Sequence, residues 1–159
     1  FRNPLLVAVN LIVFGLILGL ADSRSKKAKG VEELTIFQIV MIGIAQAIAI
    51  VPGVSRSGIT ITAGLFTKLK RSEAARFSFL LLIPILIGAS FLQGYELISN
   101  PGSLGISWFA AAIGFLASAL VSYLALYWLF KLLKKISYWP FVVYRIVLAL
   151  IVIGVYWLA

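Results

Sequence analysis

The feature that most constrains this chain is its series of long apolar segments. A bilayer core about 30 Å thick is crossed by roughly 20 apolar helical residues, with about 17–25 tolerated. Four segments lie near this length, and a fifth apolar region is interrupted by polar residues. The four segments are residues 5–21, 77–92, 106–130 and 141–158. The sequence therefore predicts an all-α, polytopic membrane protein with four spanning helices.

The composition supports a chain whose surface faces lipid. Hydrophobic residues make up 62% of the 159 residues and charged residues only 12%, whereas soluble domains carry about 25% charged residues. The chain has no cysteine and no histidine, so disulfide, thiol and imidazole chemistry are absent from it. The net charge is +9. Because the basic residues lie mostly in short loops between apolar segments, as in membrane proteins, no nucleic-acid partner is expected.

The interrupted region, residues 36–67, has two possible topologies. Its first half, residues 36–51, makes about 24 Å of helix and its second half, residues 59–67, about 13 Å, so neither half spans a bilayer comfortably. Together they could form one kinked span or a re-entrant pair that returns to the side from which it started.

Loop charges favour the re-entrant pair. Lysine and arginine are enriched in the short cytoplasmic loops of membrane proteins. The basic loops are residues 22–35, 68–76 and 131–139, whereas the loop 93–105 has no basic residue. A re-entrant pair places every basic loop on one side of the membrane. A single crossing would instead place the loops 22–35 and 68–76, which have the most basic residues, on opposite sides. The prediction is a helical pair that dips in from the cytoplasm, with the C-terminus outside.

The interruption itself has the composition of an anion site. It reads Pro52-Gly53-Val54-Ser55-Arg56-Ser57-Gly58-Ile59-Thr60. Pro52 and Gly53 should end the first half-helix, and Ser55 or Ser57 is a suitable N-cap for the second. The start of a helix attracts anions, and the planar guanidinium of Arg56 suits a phosphate. The segment is therefore predicted to form an electropositive pocket.

Structural alternatives accompany each of these residues. Arg56 could cap carbonyl groups of a neighbouring helix instead of binding an anion, and the serines could be N-caps alone. Arg145, one turn into the last span, is expected to extend to the membrane interface, with contact to the site as the alternative. Asn10 is expected to hydrogen-bond between helices.

The segment 52–60 resembles the second signature motif of the undecaprenyl-diphosphate phosphatases, also called bacitracin-resistance phosphatases. Three further stretches fit the same family: Gly43-Ile-Ala-Gln46-Ala-Ile-Ala49, Arg71-Ser-Glu-Ala-Ala-Arg76-Phe-Ser-Phe-Leu-Leu-Leu-Ile-Pro84, and Tyr144-Arg145. The resemblance implies a fold of two inverted repeats, each with a re-entrant pair, of which this chain carries the second. It also implies hydrolysis of undecaprenyl diphosphate to the monophosphate in the bacterial plasma membrane, and a divalent metal, Mg or Ca, as cofactor.

The same resemblance implies roles for the residues of the motif. Arg56 would hold the diphosphate and stabilise charge on the transferring phosphoryl group, with Ser55 as the second catalytic residue. The residues implied in substrate binding are Pro52, Gly53, Ser57, Gly58, Thr60 and Gln46. The implied partners are the polyprenyl diphosphate lipid, the membrane, the N-terminal repeat and, as a possibility, a second copy of the chain.

The chain departs from the family in lacking the first signature, which contains glutamates and a histidine. Its acids lie in loops or at span ends; they are Asp22, Glu32, Glu33, Glu73 and Glu96. No metal ligands are therefore predicted in this chain. The chain starts at Phe1 without a basic leader, so residues 1–159 are expected to be one membrane domain from a longer protein, inactive alone.

Two other functions fit the residues. Broken helices with an arginine also occur in transporters, so a transporter or flippase for a phosphorylated or anionic substrate is the first alternative. A noncatalytic membrane scaffold is the second. A first signature with glutamate and histidine upstream would favour the enzyme, and its absence would favour the alternatives.

Overall fold

The computed structural model describes residues 3–24, 29–99 and 107–158, and the regular elements in these ranges are helical apart from one isolated bridge. The helices are α1 (Pro4–Arg24), α2 (Ile36–Ala47), α3 (Arg56–Phe66), α4 (Arg71–Ser99), α5 (Trp108–Leu133) and α6 (Trp139–Leu158). Short 3₁₀ turns at Val31–Glu33 and Ile48–Ile50 flank α2. The all-α prediction is confirmed.

Four of the helices, α1, α4, α5 and α6, are long and apolar enough to cross a membrane. The four predicted spans are therefore confirmed, and the chain is a multi-pass membrane protein. The helix α4 starts at Arg71, six residues before the predicted apolar segment, and Glu73 lies in its first turn, where an acidic side chain stabilises a helix. The predicted start of the fourth span, residue 106, lies outside the described residues.

The short helices α2 and α3 form a hairpin. They pack against each other, and their outer ends are joined by backbone hydrogen bonds. The amide of Lys29 donates to the carbonyl of Lys68 at 2.9 Å, and the amide of Lys70 donates to the carbonyl of Lys29 at 3.1 Å. A single crossing would place these residues at opposite ends of the pair. The return of α3 to the starting end of α2, which the re-entrant prediction requires, is thus observed, while entry from the cytoplasm and the relation to an inverted N-terminal repeat remain predictions.

The described chain divides into two compact units, residues 1–80 with 133–159 and residues 81–132. In the first unit, α1 packs along α6 and against α3. Close approach of α1 and α6 uses two glycines one helical turn apart. A Cβ at Gly15 would lie 3.6 Å from Arg145, and one at Gly19 would lie 3.5 Å from Val142. Small residues at this spacing are typical of helix contacts in membranes.

The second unit, residues 81–132, consists of the second part of α4 and most of α5. Most of its described large apolar side chains are exposed, including Phe91 at 80% and Phe115 at 74%. Exposure of this kind is compatible with lipid as the solvent. Near the end of α5, the Lys131 ammonium lies 5.2 Å from the centre of the Trp128 ring, a pairing suited to the membrane interface.

Candidate anion site

The loop between α2 and α3 is the centre of the candidate site. The 3₁₀ turn after α2 ends at Ile50, and the amide of Val54 donates to the carbonyl of Val51 at 3.3 Å. Ser55 is the N-cap of α3, since its Oγ accepts a hydrogen bond of 3.2 Å from the amide of Gly58. Of the two serines predicted as caps, Ser55 has this role and Ser57 does not.

The loop backbone is held in an unusual conformation. Gly53 has φ +88°, and a Cβ there would lie 2.5 Å from the carbonyl oxygen of Val7 in α1. Ser55 has φ +70°, in a region that non-glycine residues adopt rarely and at a cost of about 1–3 kcal/mol. The surrounding structure must stabilise this conformation, and the contacts that do so come from α1 and α6.

Three consecutive carbonyl groups of the loop accept hydrogen bonds from side chains of other helices. Asn10 Nδ2 donates to the carbonyl of Pro52 at 2.7 Å. Arg145 Nη2 donates to the carbonyls of Gly53 at 2.9 Å and Val54 at 3.0 Å. These contacts satisfy backbone groups that would otherwise be unpaired at a break in the helix, which is necessary inside a membrane.

The expectation that Arg145 extends to the interface is wrong. Its side chain is only 7% exposed and turns towards the loop, and its Nε also donates to the carbonyl of Leu11 at 3.2 Å. The alternative, contact with the site, is confirmed. The reason is geometric: α1 packs on both α6 and α3, so a residue on the inward face of α6 lies against the loop before α3.

Three consecutive polar side chains are exposed at the start of α3: Ser55, Arg56 and Ser57. In the part of the chain that the structure describes, the Arg56 guanidinium makes no hydrogen bond or ion pair. The carbonyl-capping role considered for Arg56 is carried out by Arg145. Arg56 is therefore positioned so that an external anion could bind it, beside the hydroxyls of the two serines.

Thr60 and Gln46 lie differently from the exposed residues. Thr60 is 2% exposed, and its Oγ1 lies 2.6 Å from Ser78 Oγ in α4. Its hydroxyl also donates to the carbonyls of Arg56 at 3.0 Å or Ser57 at 3.2 Å. Gln46 is half-buried on the last turn of α2. Their substrate-binding roles remain predictions.

Gly58 has a packing role. It is buried, and a Cβ at this position would lie 2.7 Å from Arg145 Nη1 and 3.1 Å from Ser55 Oγ. A side chain there would displace both the arginine and the N-cap. The glycine thus allows the Arg145 guanidinium to lie directly against the first turn of α3.

The comparisons with known proteins identify the family. The sequence model described as "Bacitracin resistance protein BacA" matches residues 1–151. The chain belongs to this family. It is 44% identical to an undecaprenyl-diphosphatase of Moorella thermoacetica over 158 residues, covering 99% of the chain and 59% of the relative. It is 44% identical to that of Trichlorobacter lovleyi, covering 97% and 58%, and 40% identical to that of Alcanivorax borkumensis, covering 99% and 58%.

The chain spans a little under three fifths of the length of these relatives of the BacA family. The match extends over every element described above, from α1 to most of α6. The resemblance to the bacitracin-resistance phosphatases is therefore confirmed.

Among the described residues, no group of three side chains that could ligate a metal lies together. Asp22, the acid that is buried among the described residues, accepts two hydrogen bonds from Arg71, at 2.5 Å and 3.2 Å, and one from the amide of Tyr138 at 3.0 Å. Mg²⁺ and Ca²⁺ bind mainly to carboxylate and other oxygen ligands, and the oxygens of Asp22 already accept these hydrogen bonds. The described residues therefore do not fit the divalent cation that the resemblance implies.

Sequence reasoning expected a hydrogen bond from Asn10 and allowed contact of Arg145 with the site, but it did not identify the partners in three contacts of the loop and α3. These are the hydrogen bonds made by Asn10, Arg145 and Ser78. Each of the three is a polar residue inside an apolar segment. Such residues are energetically costly in a membrane unless they have hydrogen-bond partners, so their presence in the sequence indicates that partners exist. The sequence indicates that partners exist but does not identify them.

Proposed function

We propose that this chain carries the phosphate-binding part of the active site of an undecaprenyl-diphosphate phosphatase. The observation that carries the proposal is the exposed Ser55-Arg56-Ser57 segment at a break between two half-helices that side chains of α1 and α6 hold by hydrogen bonds. Its relatives of 40–44% identity are named undecaprenyl-diphosphatase. The reaction would hydrolyse a phosphoric anhydride bond, giving the lipid monophosphate and phosphate.

The geometry suits phosphoryl transfer because that reaction depends mainly on positioning and charge stabilisation. The guanidinium of Arg56 would bind oxygens of the diphosphate in a planar, two-pronged manner. The Ser57 hydroxyl would donate to the same oxygens, as would the amides of Arg56 and Ser57, since amides in the first turn of a helix have no intrahelical acceptor. Ser55 Oγ already accepts from Gly58, so its own hydroxyl proton remains for the substrate.

The remaining parts of the proposal concern groups outside the site. The divalent cation, Mg or Ca, would be bound by residues of an N-terminal repeat, with which this chain would complete the active site. The chain alone would then be inactive. The protein would lie in the bacterial plasma membrane with its basic loops in the cytoplasm and its C-terminus outside, as the positive-inside rule favours. A homodimer remains a prediction.

The test is phosphate release from undecaprenyl diphosphate by the full-length protein in detergent, with and without EDTA. Arg56→Ala should lower kcat/KM by about 10³-fold, since removal of an arginine that stabilises a phosphoryl group costs about 10³–10⁵ in rate. Arg56→Lys should recover part of the lost activity, because lysine keeps the positive charge but not the planar, bidentate donor geometry of the guanidinium.

The matched control is Arg76→Ala. Arg76 is an exposed arginine at the start of α4 with a 3.9 Å contact to Glu73, and its replacement should leave the rate unchanged. If the parent releases no phosphate, or if Arg56→Ala is as active as Arg76→Ala, the assignment is wrong. Uptake or flipping of a phosphorylated lipid without hydrolysis would support the transporter alternative.

A further inference from the structure

Arg145 occupies an electrostatically unfavourable position. It is buried, and its Nη1 lies against Gly58 in the first turn of α3. The N-terminus of a helix carries the positive end of the dipole, where a cation is destabilising. Among the described residues the hydrogen-bond acceptors of Arg145 are backbone carbonyls, and it forms no ion pair with an acid. The burial of a cation at this position therefore requires a structural or functional explanation.

The contacts of Arg145 connect three elements at one point. Nε donates to Leu11 in α1, and Nη2 donates to Gly53 and Val54 in the loop. Both loop carbonyls belong to the residues that immediately precede Ser55, whose φ is +70°. The guanidinium therefore fixes the orientation of the peptide planes that lead into Ser55 and Arg56.

Asn10 reinforces the same loop from α1. Its Nδ2 donates to the carbonyl of Pro52 at 2.7 Å, next to the two carbonyls bound by Arg145. Pro52, Gly53 and Val54 thus direct their carbonyl oxygens towards donors of α1 and α6. The exposed side chains of Ser55 and Arg56 follow directly in sequence.

We propose that Arg145 is a positioning residue for the anion site. It holds the loop 52–54 in the one conformation that presents Ser55 and Arg56 to a phosphate, and it does so without contacting the phosphate. An anion bound in front of the loop also offsets the unfavourable placement of the buried cation behind it. The proposal rests on the proposed function for its kinetic test and is independent of it for its structural test.

The structural test is hydrogen exchange of loop amides in the full-length protein. Arg145→Met removes the donors and retains an apolar side chain that can pack between α1 and α6. Amides in residues 52–58 should exchange at least about 10-fold faster than in the parent, since local opening reports the loss of local contacts. Arg145→Lys should give an intermediate rate, because an ammonium can reach some but not all of the three carbonyls.

The matched control is Thr62→Val. Thr62 is buried in α3, and its hydroxyl donates to the carbonyl of Gly58 at 2.7 Å; within the described ranges it makes no hydrogen bond to the loop residues 52–54. This variant therefore removes a buried hydrogen bond nearby, and loop exchange should stay within about 3-fold of the parent.

The kinetic test uses phosphate release from undecaprenyl diphosphate. In Arg145→Met, kcat/KM should fall by about 10²-fold, as expected for a displacement of about 1 Å, and KM should rise. A merely structural role reduces the number of folded molecules, which lowers the measured kcat and leaves KM unchanged. Arg145→Lys should recover part of both constants.

Each outcome decides the inference. Faster exchange confined to the loop, with a raised KM, supports the positioning role. An unchanged loop in Arg145→Met, or exchange that rises equally over α1, α3 and α6, overturns it. If the parent has no phosphatase activity, the proposed function fails, and the exchange data alone decide whether Arg145 holds the loop.

Discussion

The replacement of Gly53 by alanine is the sharpest test of how the loop is held. Gly53 has φ +88°, and a Cβ would lie 2.5 Å from the carbonyl oxygen of Val7, 2.9 Å from its Cα and 3.0 Å from Asn10 Cβ. Two of these three atoms are backbone atoms of α1, so a side-chain rotation cannot relieve the contact. The substitution must therefore displace either α1 or the loop.

The expected loss of stability has two parts. An alanine at positive φ costs about 1–2 kcal/mol, and overpacking of a well-packed site costs about 1–3 kcal/mol. The free energy of unfolding should thus fall by about 2–5 kcal/mol. At roughly 2–4 °C per kcal/mol for a chain of this size, the unfolding temperature should fall by about 4–20 °C.

The assay is thermal unfolding of the purified protein in detergent, followed by tryptophan fluorescence. The matched control is Gly154→Ala in α6, where no heavy atom lies within 4 Å of the added Cβ and alanine is the better helix former. This control should unfold at the parent temperature or slightly above it. The reasoning is refuted if Gly53→Ala unfolds within 1 °C of the parent, or if both variants lose stability equally.

Two further predictions concern buried hydroxyls. In a double-mutant cycle of Thr60→Val and Ser78→Ala, the 2.6 Å contact should give a coupling of about 0.5–1.5 kcal/mol in the free energy of unfolding; additive losses would show that the hydroxyls do not interact. Burial, and secondarily the charge of Asp22, raise the pKa of Tyr138 above its ordinary value of 10.0. Because the folded pKa is higher than the unfolded one, this contribution to stability is complete below pH 10 and is lost as pH rises further. The unfolding temperature should therefore fall above pH 10, and less so in Tyr138→Phe; equal falls in both proteins would contradict this assignment.

The hairpin illustrates how far sequence reasoning reaches. The distribution of basic residues predicted that the interrupted region returns to its starting side, because charged loops rarely cross a membrane. The structure shows the contact that closes the hairpin, which is a backbone bridge between Lys29 and Leu69. No pattern in the sequence indicates such a bridge, since it depends on backbone groups that every residue carries.

The candidate site likewise has some features that the sequence predicts and others that only the structure shows. The order of Pro52, Gly53 and Ser55 determined the break and its N-cap, because the conformational limits of these residues are local. Arg56 was predicted to be the anion-binding cation because its planar guanidinium suits a phosphate. These features follow from short stretches of sequence and from the properties of single residues.

Only the tertiary structure decided which partners the buried polar residues have. Arg145 turns inwards to the loop, Thr60 pairs with Ser78, and Asp22 binds Arg71 and the amide of Tyr138. The sequence by itself determined that these residues need partners, because unpaired polar groups are costly in lipid. Which partner each one finds depends on the faces that α1, α3, α4 and α6 present to one another, and those faces are set by packing between residues far apart in the chain.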